Sequence, residues 1–304
     1  MKFYKDVCAK LVYRFGNKNL DAIKSIDIER YLVDLSKEKY KRGKKGEERT
    51  YSATYVHHFR TVLTVAFDFA EKHGMIERNP MRFISAVKAE RKEVDFLSKD
   101  EAKRFLACLS ADAPLYWKTA MNLLIRCGLR RGELVGLKWE DINYSDNTLT
   151  VCRDVINNAE TDRKNYVKET KSAHSDRTLP IDAEMMKLLK AWKAKQVEDY
   201  GTMLMPSAFI FGSSIDPYNP VRPDSVTQWL SRFNTRHGLR NVSPHDLRHT
   251  CATLLLANGA SVKETQVIMG HADASTTLKF YVGVDSDALK NASDKLSMAL
   301  AMGE

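Results

Sequence analysis

The sequence is poor in the features that would tie it to a membrane, a disulfide scaffold or a structural metal. No apolar run approaches the ~18 residues that suggest a membrane span, and Met1 leads into a charged, amphipathic segment unlike a signal peptide. The five cysteines, Cys8, Cys108, Cys127, Cys152 and Cys251, are odd in number and scattered, with no C-x-x-C pair. Such a set argues against a disulfide framework or a zinc site and for a reduced, cytoplasmic protein without metal.

What is present is core material and positive charge. The chain has 304 residues, 43% of them hydrophobic, enough to bury a real core and long enough to favour two domains over one. A formal net charge of +9 and a pI near 9.2 point to a polyanionic partner. The excess is uneven, since residues 1–95 carry 21 Lys/Arg against 14 Asp/Glu, whereas 96–304 carry 27 against 25.

Helical spacing covers residues 2 to 14, a second helix from about Asp27 to Lys37, and a long one that Ser52 caps and Gly74 stops. His57 and His58 read as ordinary residues of that helix. Between the second and third helices, KEKYKRGKKGEER reads as a loop crowded with cations. Lys41, Arg42, Lys44, Lys45 and Arg49 are candidates for phosphate contact there, because each neutralised phosphate releases counterions. Met75 to Val94 has the composition of a linker. The organisation expected is a basic helical domain over 1–90, a linker over 91–95 and a second domain over 96–304.

The second domain opens on Ser98-Lys99-Asp100-Glu101, a capping box. A core helix is expected from Leu115 to Cys127, ended by Gly128 and followed by GLRRGELVGLKWEDI. Taken alone, Arg130 there is a surface or salt-bridge arginine. From Thr148 the period becomes alternating, and two or three antiparallel strands fit. Lys171 sits beside a Ser/Ala/His/Ser turn, where by itself it reads as a solvated turn lysine. Ser243-Pro244-His245-Asp246 combines an N-cap, a first-position proline and an acidic first turn. That start puts His245 and Arg248 one turn apart, where free amides and the helix dipole favour an anion. A second capping box at Ser261–Glu264 leads to Gly270, His271 and, ten residues on, Tyr281. Imidazoles, guanidiniums and a phenol can together hold and attack a phosphodiester without a metal.

In this order, Arg130, Lys171, His245-x-x-Arg248, His271 and Tyr281 resemble the tyrosine recombinase (phage integrase) family. GLRRGEL, TKSAHSDRTLPI, HDLRHTCAT and MGHADASTTLKFY carry the resemblance, which is close over residues 96 to 285. Each element is common alone; their joint order is specific. The resemblance implies a mainly α fold with a small antiparallel β-sheet in the C-terminal catalytic domain, preceded by a helical core-binding domain, the two forming a clamp on duplex DNA. Many members carry a further N-terminal arm-binding domain, whereas this sequence begins directly in what looks like the core-binding part, either because it has the Xer-like architecture or because it is a fragment lacking that domain.

The implied chemistry is attack of Tyr281 on a scissile phosphate, giving a 3′-phosphotyrosyl link and a free 5′-hydroxyl. His245 would accept the phenolic proton, Arg130 and Arg248 would grip the non-bridging oxygens, and Lys171 would protonate the departing 5′-oxygen. His271 would donate to the phosphate and Glu133 would support the arginines. The bond energy is conserved, so neither ATP, metal nor other cofactor is required. The resemblance further implies recombination core sites in double-stranded DNA, and accessory DNA-bending or directionality factors. It also implies a protein that is a monomer or weak oligomer when free and a homotetramer on synapsed DNA, with the amphipathic tail after Tyr281 docking on a neighbour, and that is bacterial or phage-encoded and nucleoid-associated. Integration or excision of a phage or other mobile element is the expected role. The alternatives are a type IB topoisomerase-like enzyme and a DNA-binding protein with vestigial catalytic residues.

Overall fold

In the computed structural model, residues 2–42, 47–84, 95–157, 165–169 and 176–270 are described. The chain divides into two compact units, Met1–Glu93 and Val94–Glu304. Helices account for most of the described residues.

The first unit contains helices α1 (Lys2–Phe15), α2 (Ser25–Lys37) and α3 (Ala53–Lys72). Their apolar positions recur at helical spacing, Ile28, Leu32 and Leu35 on α2 and Val56, Phe59, Leu63, Phe67 and Ala70 on α3, and all are buried in one cluster with Val7, Leu11 and Phe15. Ser52 caps α3 as expected, its hydroxyl accepting from the Tyr55 amide at 3.2 Å.

Two expectations fail in this unit. The cationic segment is a β-hairpin, β1 (Lys39–Arg42) paired antiparallel with β2 (Glu47–Thr50), where the sequence predicts a loop. Lysine-rich strands show no apolar alternation, and the hairpin is anchored at its base by aromatic rings. Tyr40 stacks on Tyr51 at 4.7 Å, Tyr51 stacks on Tyr55 of α3 at 4.3 Å, and Lys10 Nζ donates to the Tyr51 hydroxyl at 2.8 Å. The linker expected from Met75 begins later, because a 3-10 turn at Pro80–Phe83 buries Ile76, Met81 and Ile84 in the first core. Asn79 initiates that turn, its side chain accepting from the Met81 amide at 2.8 Å and donating to Asp68 at 2.6 Å.

The second unit is organised around a helix buried on nearly every side. After α4 (Lys99–Asp112), which starts on the expected Ser98/Glu101 capping box, comes α5 (Leu115–Cys127). Eight of its residues are buried, and it packs against α7 (Ala183–Tyr200) and α9 (Pro244–Ala257). Gly128 ends α5 at φ +60, and a side chain there would strike Met269 within 2.1 Å, so both backbone and space require glycine. The short α6 (Arg131–Gly136) follows at once.

Among the described residues of this unit the strands form two separate antiparallel pieces. One is a three-stranded sheet of β3 (Ile142–Asn143), β4 (Thr148–Val151) and β7 (Arg177–Pro180) in the order β3-β4-β7. The other is a hairpin of β5 (Arg153–Asn157) and β6 (Asn165–Glu169). In β7 the register sets Arg177 opposite Val151 and Leu179 opposite Leu149. Arg177 and Leu179 face inward while Thr178 and Pro180 face out. The AFIFG segment, expected as a short strand or extended piece, lies buried but turns between isolated bridges at Phe209 and Gly212, its Ile210 amide donating to the Leu137 carbonyl at 2.9 Å. Helices α8 (Pro223–Arg236) and α10 (Val262–Met269) are the remaining α-helices among the described residues. Among the described residues no helix is long and apolar enough to cross a membrane.

Candidate active site

Three helix ends converge in the second unit: the α5–α6 junction, the start of α9 and the end of α10. At the first, Arg130 is the residue preceding α6 and Glu133 lies in the first turn. The Glu133 carboxylate reaches back to accept from the Arg130 amide at 2.8 Å and from Arg130 Nη1 at 2.6 Å. One partner is half in solvent and the other is not, the Arg130 side chain being 40% exposed and that of Glu133 2%.

Burial would push the Glu133 carboxyl up, but the hydrogen bonds and charge of Arg177, with the charge of Arg130, outweigh it and hold the group at about 2. Arg177 approaches on two nitrogens, Nη2 donating at 2.8 Å and Nη1 at 3.2 Å. Arg248 Nη1 stands 3.8 Å away. A single buried carboxylate thus serves three guanidiniums.

Helix α9 begins as its sequence dictates. The Ser243 hydroxyl accepts from the Asp246 amide at 3.3 Å, the Asp246 carboxylate accepts from the Ser243 amide at 2.7 Å, and Pro244 fills the first turn. Arg248, one turn in, is 2% exposed; its Nη1 donates to the Gly128 carbonyl at 2.6 Å and its Nη2 to the Met269 carbonyl. Burial, then the nearby Arg130, lower its pKa to about 9, which leaves the guanidinium charged at neutral pH. His245 is exposed to the cleft, yet partial desolvation by its surroundings, followed by the charge of Arg248, lowers its pKa, so it is neutral at pH 7 and free to accept a proton. Its ring packs edge-on against His249 at 4.1 Å. Burial and His245 drive His249 down to about 4.

The end of α10 is the third element. Gly270 closes the helix at φ +61, and the last carbonyls are the orphan acceptors and negative pole of a helix. Arg177 Nε donates to Ile268 O at 2.8 Å, Arg248 to Met269 O and Arg130 Nη2 to Gly270 O at 3.1 Å. Three consecutive carbonyls are each held by a different arginine.

Beside this cluster opens a cleft of about 560 Å³ lined by Arg130, Arg131, Asp154, Ser243 and His245, among others. Arg131, which the sequence leaves unexplained, donates to Asp224 at 2.9 Å and to Thr227 at 3.0 Å, both on α8. A basic, partly open cleft with the half-exposed guanidiniums of Arg130 and Arg131 and a neutral imidazole suits a phosphate group. Among the described residues no group of His, Cys, Asp and Glu is placed to hold a metal ion.

Of the expected site residues, Arg130, Glu133 and Arg248 are brought together, and His245 shares the cleft with Arg130. Lys171, His271 and Tyr281 lie outside the described residues. Lys41 and Arg49 are exposed on the first unit's hairpin, Arg42 ends its first strand, and Lys44 and Lys45 lie outside the described residues. Arg177 was not expected. Its signal was the alternation in DRTLPI, which sets Arg177 on the same inward face as Leu179.

Comparison with known proteins places these features in context. The model of the phage integrase family matches residues 95–287. A tyrosine recombinase of Thermosipho africanus is 30% identical over 278 residues, 91% of this chain and 86% of that protein. The ICEBs1 integrase of Bacillus subtilis is 27% identical over 79% of this chain and 64% of its own length. A solved structure of the Tn1549 transposon integrase in complex with transposon right end DNA superposes with a TM-score of 0.79 at 21% identity, over 97% of this chain and 92% of that one.

Proposed function

Because the chain belongs to the phage integrase family of tyrosine recombinases and is a site-specific recombinase, we propose that it cuts and rejoins double-stranded DNA through a 3′-phosphotyrosyl intermediate on Tyr281. The observation that carries this reading is the convergence of Arg130 and Arg248 on Glu133 and on the helix end that leads, in sequence, to His271 and Tyr281.

The phenolic oxygen of Tyr281 attacks the scissile phosphorus while the bond from phosphorus to the 5′-oxygen breaks. A phenol is mostly neutral at pH 7, so its proton needs an acceptor. The depressed pKa of His245 supports that role, because a neutral ring is ready to take the proton. Negative charge grows on the non-bridging oxygens, and Arg130 and Arg248 stabilise it with planar, fixed donors. Arg130 is the more exposed and meets the phosphate first; Arg248, held on two carbonyls, is preorganised behind it. Lys171 supplies the proton that the leaving 5′-oxygen takes up, and His271 donates to the phosphate. Reversal of the same steps with a different 5′-hydroxyl exchanges strands.

The hairpin cations Lys41, Arg42, Lys44, Lys45 and Arg49 contact the duplex backbone from the first unit. Mobile-element integration and excision is the role supported by the ICEBs1 and Tn1549 integrases among its relatives. On synapsed DNA the active form is a homotetramer.

The test is a nicked duplex carrying the joined ends of the element, from which the short fragment bearing the freed 5′-hydroxyl diffuses away, so that the covalent adduct is trapped. Wild-type protein forms the adduct and Tyr281→Phe forms none. Absence of a wild-type adduct, or an adduct with Tyr281→Phe, refutes the mechanism.

A further inference from the structure

The proposed chemistry uses Arg130 and Arg248 and leaves one charged group at the centre without a task. Arg177 sits on β7, where pairing with β4 fixes its backbone opposite Val151, and its side chain is 4% exposed. Desolvating a guanidinium is costly, and a buried one persists only where it is well satisfied. Arg177 meets that condition by spanning two parts of the site at once, donating on two nitrogens to Glu133 and through Nε to the Ile268 carbonyl.

Both anchor points matter to the other two arginines. Glu133 also holds Arg130, and the next two carbonyls after Ile268 hold Arg248 and Arg130. A shift of α10 by one hydrogen bond would move the acceptors of both. The packing over Arg177 is tight as well, for a side chain at Gly270 would come within 2.9 Å of its Nη1. The glycine that ends α10 therefore serves the arginine beneath it in addition to the helix turn.

We infer that Arg177 is a positioning residue of the strand-cleavage centre, a fixed strut from the β-sheet that sets Glu133 and the end of α10, and through them the two arginines proposed to grip the phosphate. The inference rests on the reading that this centre cleaves DNA. Arg177 is assigned no contact with the substrate; its effect is on the geometry of those that have one. Loss of such an outer support costs about 10–100-fold in rate in comparable sites, and small misplacements of reacting groups cost about as much.

The experiment uses the full chain and the nicked duplex with the joined element ends, in single turnover. Three variants are compared with wild type: Arg177→Met, Arg177→Lys and the double variant Arg177→Met/Glu133→Gln, which keeps the fold accessible by removing both buried charges. For each, the adduct-forming rate constant, its amplitude and the half-saturating duplex concentration are measured.

The expected result for Arg177→Met is a rate constant lower by about 10–100-fold at an unchanged amplitude, with half-saturation within about threefold of wild type. Arg177→Lys, which can reach Glu133 with one point charge but cannot also span to Ile268, falls between the two. A purely structural role would lower the amplitude, as inactive protein accumulates, and leave the rate constant alone; that outcome overturns the inference. So does a double variant that cleaves within about threefold of the wild-type rate. No adduct from wild type sinks the cleavage reading itself and this inference with it, whereas normal cleavage by all the variants sinks the inference alone.

Discussion

Glu133 offers the sharpest perturbation, because one neutral substitution unsettles three cations. In Glu133→Gln the amide keeps the shape and loses the charge. The folded carboxyl is held at about 2 against an ordinary 4.5, a depression that corresponds to about 3 kcal/mol of folded-state stability at neutral pH. A second route gives the same scale, since removing one partner of a buried ion pair typically costs about 3–5 kcal/mol. The sign follows from the depressed pKa. The stabilisation is complete above about 4.5, drains away as pH falls toward 2, and is gone when the carboxyl is protonated in both states. The gap between wild type and Glu133→Gln should therefore be full at pH 7 and shrink between pH 4.5 and 3. All four tryptophans, Trp117, Trp139, Trp192 and Trp229, lie in the second unit, so fluorescence follows its unfolding without the first. With a urea slope of ~2 kcal/mol per molar, the midpoint should move down by about 1.5 M at pH 7. A gap below about 1 kcal/mol at pH 7, or one that does not narrow in acid, would show that Glu133 is not the counter-charge of this cluster.

Arg248→Lys should slow adduct formation by about 10²–10³-fold with little loss of duplex affinity, because an ammonium cannot hold the Gly128 and Met269 carbonyls together; a rate within tenfold of wild type would contradict this. Adduct formation should rise with pH until His245 is neutral and level off, with a midpoint below 6.5 given its lowered pKa; a midpoint above 7 that survives in His245→Ala would assign the titration elsewhere. Replacing Lys41 and Arg49 together by alanine should reduce the slope of log affinity against log salt by about 2, near 0.9 per lost phosphate contact; an unchanged slope removes them from the DNA interface.

Features governed by short-range rules were legible in the sequence. The capping boxes at Ser98, Ser243 and Ser261 each depend on two side chains three residues apart, and all three start a helix where expected. The left-handed stops at Gly128 and Gly270 are equally local. The β1–β2 hairpin was not legible, because its strands are lysine and glutamate and its support comes from Tyr51 and Tyr55, beyond the strands themselves. Nor was the 3-10 turn at Pro80–Phe83, which is ordered by burial of Met81 in a core built from distant helices. At the site, motif order singled out Arg130, Glu133 and Arg248. It could not single out Arg177, whose importance arises from contacts 44 residues back in sequence to Glu133 and 91 residues forward to Ile268.

Three guanidiniums in one small volume repel one another, and the cluster persists because its negative partners are of two kinds. Glu133 supplies a full charge, and the carbonyls of residues 268–270 supply the partial negative pole of α10. The carboxylate cancels one of three positive charges, so the centre keeps a surplus that only a second anion can neutralise. The exposed face of Arg130 is where such an anion would enter. The helix dipole does a different job, since it orients cations without a second buried carboxylate, which would cancel the field a phosphate needs. This division predicts opposite behaviour for one negative charge added and one removed. An acidic residue introduced at Thr227, which lines the cleft and bonds Arg131, should stabilise the free protein slightly and weaken duplex binding. The Glu133→Gln change should destabilise the free protein without reducing its electrostatic attraction for DNA. If Thr227→Asp left duplex affinity at low salt unchanged, the cleft would not be where the phosphate enters.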